Sequence, residues 1–163
     1  MTAALFIGRF QPFHNAHLTV IKQILKENDK IIIVIGSSNE SNTRLNPFSL
    51  MERKNMITSV LKANKIKNYR IIAIPDVYND KKWIRLIESK ARRFDTIYTG
   101  NKWTARCFRK YGKNIRKIKL IKGISSTIIR NRIVRGKNWK GLVPKEVYLY
   151  IQKIRGDERI SSI

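Results

Sequence analysis

The sequence predicts an α/β protein of the Rossmann-like, doubly wound class: a five-stranded parallel sheet with helices on both faces. Short apolar runs bounded by turn residues alternate along the chain with segments that have the period of an amphipathic helix. The first four runs are apolar at nearly every position, which is typical of parallel strands covered on both faces. Strands that alternate with helices build right-handed crossovers in one sheet. With 163 residues, 42% of them hydrophobic, the chain can bury the core of a single domain over residues 1–163.

Each element follows from a local pattern. The predicted strands are residues 3–8, 30–36, 69–75, 95–100 and 115–121. The predicted helices are residues 16–28, 47–64, 80–93, 101–112, 125–136 and a C-terminal helix at about 144–155. Pro47 and Pro144 suit the first turn of a helix, and Gly136 suits a helix end. Ligands of such sheets bind beyond the carboxyl ends of the strands, near the reversal of strand order. The segments that follow the strands are therefore the candidate site.

The composition limits the class of partner. The formal net charge is +24, from 35 Lys and Arg against 11 Asp and Glu, so an anionic partner is expected. The charge alone does not choose between nucleotide phosphates, nucleic acid and anionic lipid. A single cysteine, Cys107, excludes an internal disulfide and an all-cysteine metal site within one chain. No apolar run is long enough to cross a bilayer and no signal-peptide pattern opens the chain, so we expect a cytoplasmic protein with no membrane partner.

The first candidate motif is GRFQPFHNAHL, residues 8–18, between the first strand and the first helix. It holds both histidines of the chain, His14 and His17, on one face of a helix start, where free N–H groups and the helix dipole favour phosphate. Gly8 allows close backbone approach and Arg9 can pair with a phosphate in bidentate fashion. Two histidines alone do not complete a zinc site, and the Walker phosphate-binding pattern is absent here. The motif predicts a phosphate site without naming the reaction.

The second candidate motif is GISSTIIRNRI, residues 123–133, after the fifth predicted strand. Ser125 or Ser126 can cap the helix that follows, which again leaves N–H groups free for an anion. Thr127 adds a hydroxyl, and Arg130 lies one turn further on, directed at the same helix start. Taken alone, the segment favours an ordinary capped helix with an exposed arginine over a phosphate site.

Together the two motifs resemble the H-x-G-H and I-S-S-T-x-x-R signatures of the nucleotidyltransferase superfamily. Within that superfamily, GRFQPFH is similar to the nicotinamide-nucleotide adenylyltransferases of the archaeal type. Four further segments resemble that family: GSSNESNTRLNPFSLMER, IPDVYNDKKW, FDTIYTGN and GKNWKGLVP. The chain departs from the family pattern at three positions. Ala16 replaces the glycine between the histidines, Asn42 stands where a histidine is frequent, and Lys122 lies where an arginine and a tyrosine are usual.

The resemblance implies a role for each matching residue. The residues implied to bind ATP are Gly8, Arg9, Phe10, His14, His17, Gly100, Asn101, Ser125, Ser126, Thr127 and Arg130. Of these, His14, His17, Arg9 and Arg130 are the implied catalytic group. The residues implied to bind nicotinamide mononucleotide are Gly36, Ser37, Asp80 and Trp83. An aromatic ring suits a positively charged pyridinium, although core packing explains Trp83 equally well without the resemblance.

The implied reaction transfers AMP from ATP to nicotinamide mononucleotide and yields NAD and pyrophosphate. Mg²⁺ is expected to be carried by ATP, with no direct protein ligand. Relatives in the family assemble into multimers, which implies a homo-oligomer. Two alternatives stay open: an adenylyltransferase for nicotinate or flavin mononucleotide, and a basic nucleic-acid-binding protein on the same scaffold. Nucleic acid is thus a possible partner that the two phosphate motifs do not require.

Overall fold

A computed structural model describes residues 1–118 and 121–163 of the protein. Five parallel strands form one sheet in the order β3-β2-β1-β4-β5. The strands are β1 Ala3–Gly8, β2 Lys30–Ile35, β3 Tyr69–Ala73, β4 Thr96–Thr99 and β5 Ile115–Lys117. The order reverses between β1 and β4, as in doubly wound sheets. The predicted α/β, Rossmann-like fold with a five-stranded parallel sheet is therefore confirmed.

The helices account for most of the remaining described chain. They are α1 Asn15–Glu27, α2 Leu50–Ala63, α3 Asp80–Ala91, α4 Lys102–Lys110, α5 Ser126–Val134, α6 Lys145–Lys153 and α7 Gly156–Ser162, with a 3-10 turn at Lys140–Leu142. Within the described residues, no helix is long and apolar enough to cross a membrane. The described chain forms two compact units, and the expectation of a single domain stays a prediction.

The first unit, here called the sheet unit, comprises Met1–Gly8, Val20–Ser38 and the described part of Asn68–Leu120. It contains all five strands together with α3 and α4. One buried core joins strand residues such as Leu5, Val34 and Ile97 to the apolar sides of the two helices. The helix residues in that core are Trp83, Ile84 and Ile87 of α3 and Cys107 and Phe108 of α4. Because β1 lies between β2 and β4, the carboxyl ends of these three strands share one edge of the sheet.

The second unit, here called the helical unit, comprises Arg9–Thr19, Asn39–Lys67 and Ile121–Ile163. Its helices α2, α6 and α7 pack together. α2 begins with a capping box, in which the Ser49 side chain accepts from the Glu52 N–H and the Glu52 carboxylate accepts from the Ser49 N–H. Residues 9–17, which hold both histidines, and residues 123–130, which hold Ser125 and Ser126, belong to this unit.

The sequence did not predict α7. Its seven residues contain one buried apolar side chain, Ile160, so no amphipathic period is visible. The helix forms through tertiary contacts instead, because a single short helix is unstable alone. The Arg159 guanidinium donates to both oxygens of the Glu52 carboxylate at 2.8 Å. A Cβ on Gly156 would lie 2.8 Å from the Phe48 ring, so the close packing of α7 requires glycine there.

Several predicted boundaries differ from the structure. α2 begins at Leu50 rather than at residue 47, because Ser49 takes the cap and Pro47 lies before it. Pro144 is the cap of α6, and Gly136 follows the end of α5 with a left-handed φ of 60°. The strand predicted over residues 115–121 is observed as Ile115–Lys117, and residues 119 and 120 of that prediction lie outside the described residues.

Candidate functional site

The loop between β1 and α1 is built around two buried phenylalanines. Phe10 adopts a left-handed φ of 55°, which turns the chain sharply after Arg9. The rings of Phe10 and Phe13 are nearly inaccessible and lie against the His17 ring at centroid distances of 4.7 and 5.3 Å. The two buried phenylalanine rings thus pack against the His17 imidazole and fix its position. Residues 9–17 are called the imidazole loop below.

The two imidazoles stack on each other. Their ring centroids are 3.5 Å apart and their planes differ by 15°. The backbone N–H of His14 donates to Nδ1 of His17 over 3.2 Å. A nitrogen that accepts a hydrogen bond carries no proton, so neutral His17 bears its proton on Nε2. Nδ1 of His14 is buried and has no hydrogen-bond partner among the described residues.

Burial keeps both histidines uncharged. It lowers the pKa of His14 to about 4. Burial, and then the repulsion that a protonated His14 would exert, hold the pKa of His17 well below its usual value. Each ring therefore offers one N–H donor at neutral pH. The rings lie at the start of α1, where the positive end of the helix dipole favours an anion, so this end of the helix can receive one without a preformed counter-charge.

The serine-rich turn, defined as residues 123–130, is fastened to the imidazole loop. Ser125 caps α5 by accepting from the Ile128 N–H. Ser126 Oγ donates to the Pro12 carbonyl oxygen over 3.0 Å, and Arg130 Nη1 donates to the Gln11 carbonyl oxygen over 2.7 Å. Two segments more than a hundred residues apart in sequence are thus brought together within the helical unit.

Two arginines contribute positive charge to this cluster. Arg130 is buried at 7% exposure, whereas Arg9 is exposed. Burial, and then the charge of Arg9, lower the pKa of Arg130, so the two cations lie near enough to repel each other. Arg130 donates one N–H to the Gln11 carbonyl, and a guanidinium carries four further N–H donors. The two neighbouring arginines, beside the neutral N–H donors of the imidazoles, form a site suited to a polyphosphate.

Two supporting residues were missed by the sequence reasoning. Gln11 pairs through its side-chain amide with both backbone groups of Phe48, at 2.9 Å each. Arg53 is fully buried and donates to the carbonyl oxygens of Arg9 at 3.0 Å, Ser49 at 3.3 Å and Glu40 at 3.5 Å. A signal for Arg53 existed, because it stands three, four and seven residues before the apolar positions 56, 57 and 60. A cation on the buried stripe of a helix indicates an internal role.

Other predicted residues lie in the sheet unit, at the carboxyl ends of adjacent strands. Gly36 donates its N–H to the Gly8 carbonyl oxygen over 3.0 Å, which joins the ends of β1 and β2. Ser37 is buried in a left-handed conformation, with φ of 47°, and its hydroxyl donates to the Asp76 carboxylate over 3.0 Å. Gly100 is exposed beyond β4, and Asn101 caps α4 by accepting from the Thr104 N–H.

Trp83 and Asp80 have neighbours that the sequence did not indicate. Trp83 is 4% exposed in the core of the sheet unit and packs against Trp103 at 4.9 Å between ring centroids. Asp80 is exposed at the start of α3 and is hydrogen-bonded to the Cys107 thiol. Burial and then that bond raise the thiol pKa to about 11. Trp83 thus has the buried surroundings that core packing predicts. The contact of Trp83 with nicotinamide stays a prediction.

Known proteins resemble this chain over nearly its whole length. A family model described as cytidylyltransferase-like matches residues 5–132. A nicotinamide-nucleotide adenylyltransferase of Picrophilus torridus is 41% identical, over 98% of this chain and 96% of the relative. One from Methanococcus maripaludis is 43% identical, over 96% of this chain and 92% of the relative.

A solved structure shows the same fold. It is a bifunctional NMN adenylyltransferase/ADP ribose pyrophosphatase from Francisella tularensis, in complex with AMP and a manganese ion. The match has 26% identity and a TM-score of 0.80, and covers 99% of this chain and 52% of that one. By its matched length and its two signature segments, the chain belongs to the cytidylyltransferase-like family, among the nicotinamide-nucleotide adenylyltransferases.

Proposed function

We propose that this chain transfers AMP from ATP to nicotinamide mononucleotide, giving NAD and pyrophosphate. One observation carries the proposal: the hydrogen bonds of Ser126 and Arg130 to the imidazole loop. They gather two arginines, two imidazoles and two helix starts into one cluster of hydrogen-bond donors and positive charge. Such a cluster suits the triphosphate of ATP, and the names of the relatives identify the second substrate.

The chemistry needs no protein base. A phosphate oxygen of the mononucleotide attacks the α-phosphorus of ATP, a new P–O bond forms, and the bond to the bridging oxygen of the β-phosphate breaks. Pyrophosphate leaves with that electron pair. The attacking phosphate is already mostly ionised at neutral pH, since the second pKa of a phosphate ester is about 6. Catalysis then consists of aligning two anions and stabilising the charge that moves to the leaving group.

The geometry suggests a division of roles within the cluster. Nε2–H of His17 is assigned to the α-phosphate, because its Nδ1 is already engaged by the His14 backbone. His14, Arg9 and Arg130 are assigned to the β- and γ-phosphates. Neutral imidazoles strengthen their hydrogen bonds as negative charge accumulates, and they do not hold pyrophosphate with a full ionic bond after reaction. The remaining proposed ATP contacts are Gly8, Phe10, Gly100, Asn101, Ser125, Ser126 and Thr127.

Nicotinamide mononucleotide is assigned to Gly36, Ser37, Asp80 and Trp83. The Ser37 hydroxyl is directed by the Asp76 carboxylate, which supports a fixed polar contact at the end of β2. Trp83 has little free ring surface, so a stacked pyridinium requires a shift of the packed Trp103.

The divalent metal is expected to arrive with ATP. Within the described residues, no group of three His, Cys, Asp or Glu side chains is placed to hold a metal ion. The relative from Francisella tularensis was crystallised with manganese, which supports the use of a divalent ion. We assign Mg²⁺ to the ATP phosphates. Titration with Mg²⁺ and Mn²⁺ at constant ATP tests this assignment.

The decisive experiment mixes the protein and Mg·ATP separately with nicotinamide, nicotinate and flavin mononucleotides. Pyrophosphate release and the adenylylated product are measured together. We expect NAD from the nicotinamide compound at the highest kcat/KM. Faster turnover of the flavin or nicotinate compound would replace the proposed substrate, and no pyrophosphate from any of the three would refute the proposed activity. Light scattering of the same sample tests the proposed homo-oligomer.

A further inference from the structure

The outer side of helices α3 and α4 is covered with uncompensated positive charge. The cations exposed on it, here called the basic face, are Lys81, Lys82, Arg85 and Lys90 of α3 and Lys102, Arg106, Arg109 and Lys110 of α4. The two helices contact each other in the sheet unit. On α4, every exposed residue other than Trp103 is one of these cations.

This concentration follows from how the helices pack. Their apolar sides are buried in the core of the sheet unit, through residues such as Trp83, Ile87 and Phe108. Core packing does not restrict the residue type at the outward positions of α3 and α4, yet the only acidic residues of the two helices are Asp80 and Glu88. Glu88 is paired with Lys113 at 2.7 Å. None of the cations of the basic face forms an ion pair with another described residue.

The arrangement has an electrostatic cost. Lys102 and Arg106 are four residues apart on one helix, as are Arg106 and Lys110, and Arg106 and Arg109 are three apart. Like charges at these spacings destabilise a helix by about 0.2–0.5 kcal/mol each. A bound polyanion would remove this repulsion and release its own counterions, and both effects favour association.

We propose that the basic face binds single-stranded nucleic acid through its backbone phosphates, without reading sequence. The cations extend over a helix of twelve and one of nine residues, about 18 and 14 Å long, which spans several phosphates. Trp103 is 38% exposed on the first turn of α4, beside Lys102 and Arg106, and presents a ring surface on which a base can stack. An anionic membrane fits less well, because interfacial helices need an exposed apolar face and the apolar faces here are buried.

The test uses a variant in which Arg85, Arg106, Arg109 and Lys110 are changed to Gln. A control changes Lys62, Lys67, Lys145 and Lys153 to Gln, four exposed lysines of the helical unit, so the net charge changes equally. Binding of a labelled oligothymidylate of about 20 nucleotides is measured by fluorescence anisotropy against salt. Each lost phosphate contact reduces the slope of log K against log salt by about 0.7, so the first variant should lose about 3 from the slope.

The control should bind like the wild type, and Trp103→Leu should weaken binding by about 5-fold or more. Equal losses in both charge variants would show a diffuse effect of net charge and overturn the proposal. So would unchanged binding by the first variant, tighter binding to anionic vesicles than to the oligonucleotide, or no binding at physiological salt. NAD formation is assayed in parallel on all variants. Retained NAD formation in the two charge variants shows that they fold and separates this inference from the proposed enzymatic activity. Because the Trp103 ring packs on Trp83, the fold of Trp103→Leu is checked by its thermal unfolding midpoint instead.

Discussion

Replacing Arg53 by Met tests whether a buried cation positions the imidazole loop. The guanidinium holds the carbonyl oxygens of Arg9 and Ser49 at 3.0 and 3.3 Å. Hydrogen bonds from a charged donor contribute about 1.5–3 kcal/mol each. Removing a buried charge returns part of its desolvation cost, so we expect a net loss of about 3 kcal/mol in the free energy of unfolding. A domain stable by about 5–15 kcal/mol would stay folded.

The effect on catalysis follows from the geometry. Without Arg53, the Arg9 carbonyl is no longer held and the turn at Phe10 can relax. A displacement of about 1 Å in a phosphate contact can reduce turnover by about 100-fold. We therefore expect kcat for NAD formation to fall at least about tenfold, with partial recovery in Arg53→Lys, which keeps the charge and some of the donors.

The assay combines urea unfolding with steady-state kinetics at saturating ATP. The matched control is Lys54→Met, the next residue of α2, which is only half-buried. The control should change the free energy of unfolding by no more than about 0.5 kcal/mol. Normal stability and normal kcat in Arg53→Met would refute the reasoning. Lost stability with unchanged kcat would show that Arg53 supports the fold but does not position the site.

Three further predictions concern the site. His17→Ala should lower kcat about 100-fold or more. Its thermal unfolding midpoint should stay close to that of Thr19→Ala, an exposed change on the same helix. Near-normal turnover of His17→Ala would remove His17 from catalysis. The folded-state pKa of His14 lies below its unfolded value, so the unfolded state binds more protons as the pH falls. The free energy of unfolding should therefore fall by about 3 kcal/mol between pH 6.5 and 4, and by less in His14→Asn. Parallel curves of this free energy against pH for the two proteins would contradict the lowered pKa of His14. Trp83→Phe should raise KM for nicotinamide mononucleotide with little change in kcat. This variant is preferred to Trp83→Ala, which would cost about 3–5 kcal/mol of core packing. An unchanged KM would count against stacking of the nicotinamide ring on Trp83.

Much of the fold was predictable because its signals are local. The apolar strand segments and the helices between them predicted the sheet, since buried parallel strands need no polar face. The cap of α5 at Ser125 is one of the two serines that residue type indicated. The helix α7 could not be predicted, because its stability comes from Arg159 on Glu52 and from the space that Gly156 leaves for Phe48.

For the site, the sequence determined which chemical groups are present: two histidines at a helix start, two arginines and a capped serine turn. Only the tertiary structure decided how they act. The stacking of His14 on His17, the proton on Nε2 and the lowered pKa values depend on burial and on one backbone hydrogen bond. The contacts of Ser126 and Arg130 with the imidazole loop join segments far apart in sequence. Hydrogen bonds and desolvation act over a few ångströms of space, and linear spacing does not report that distance.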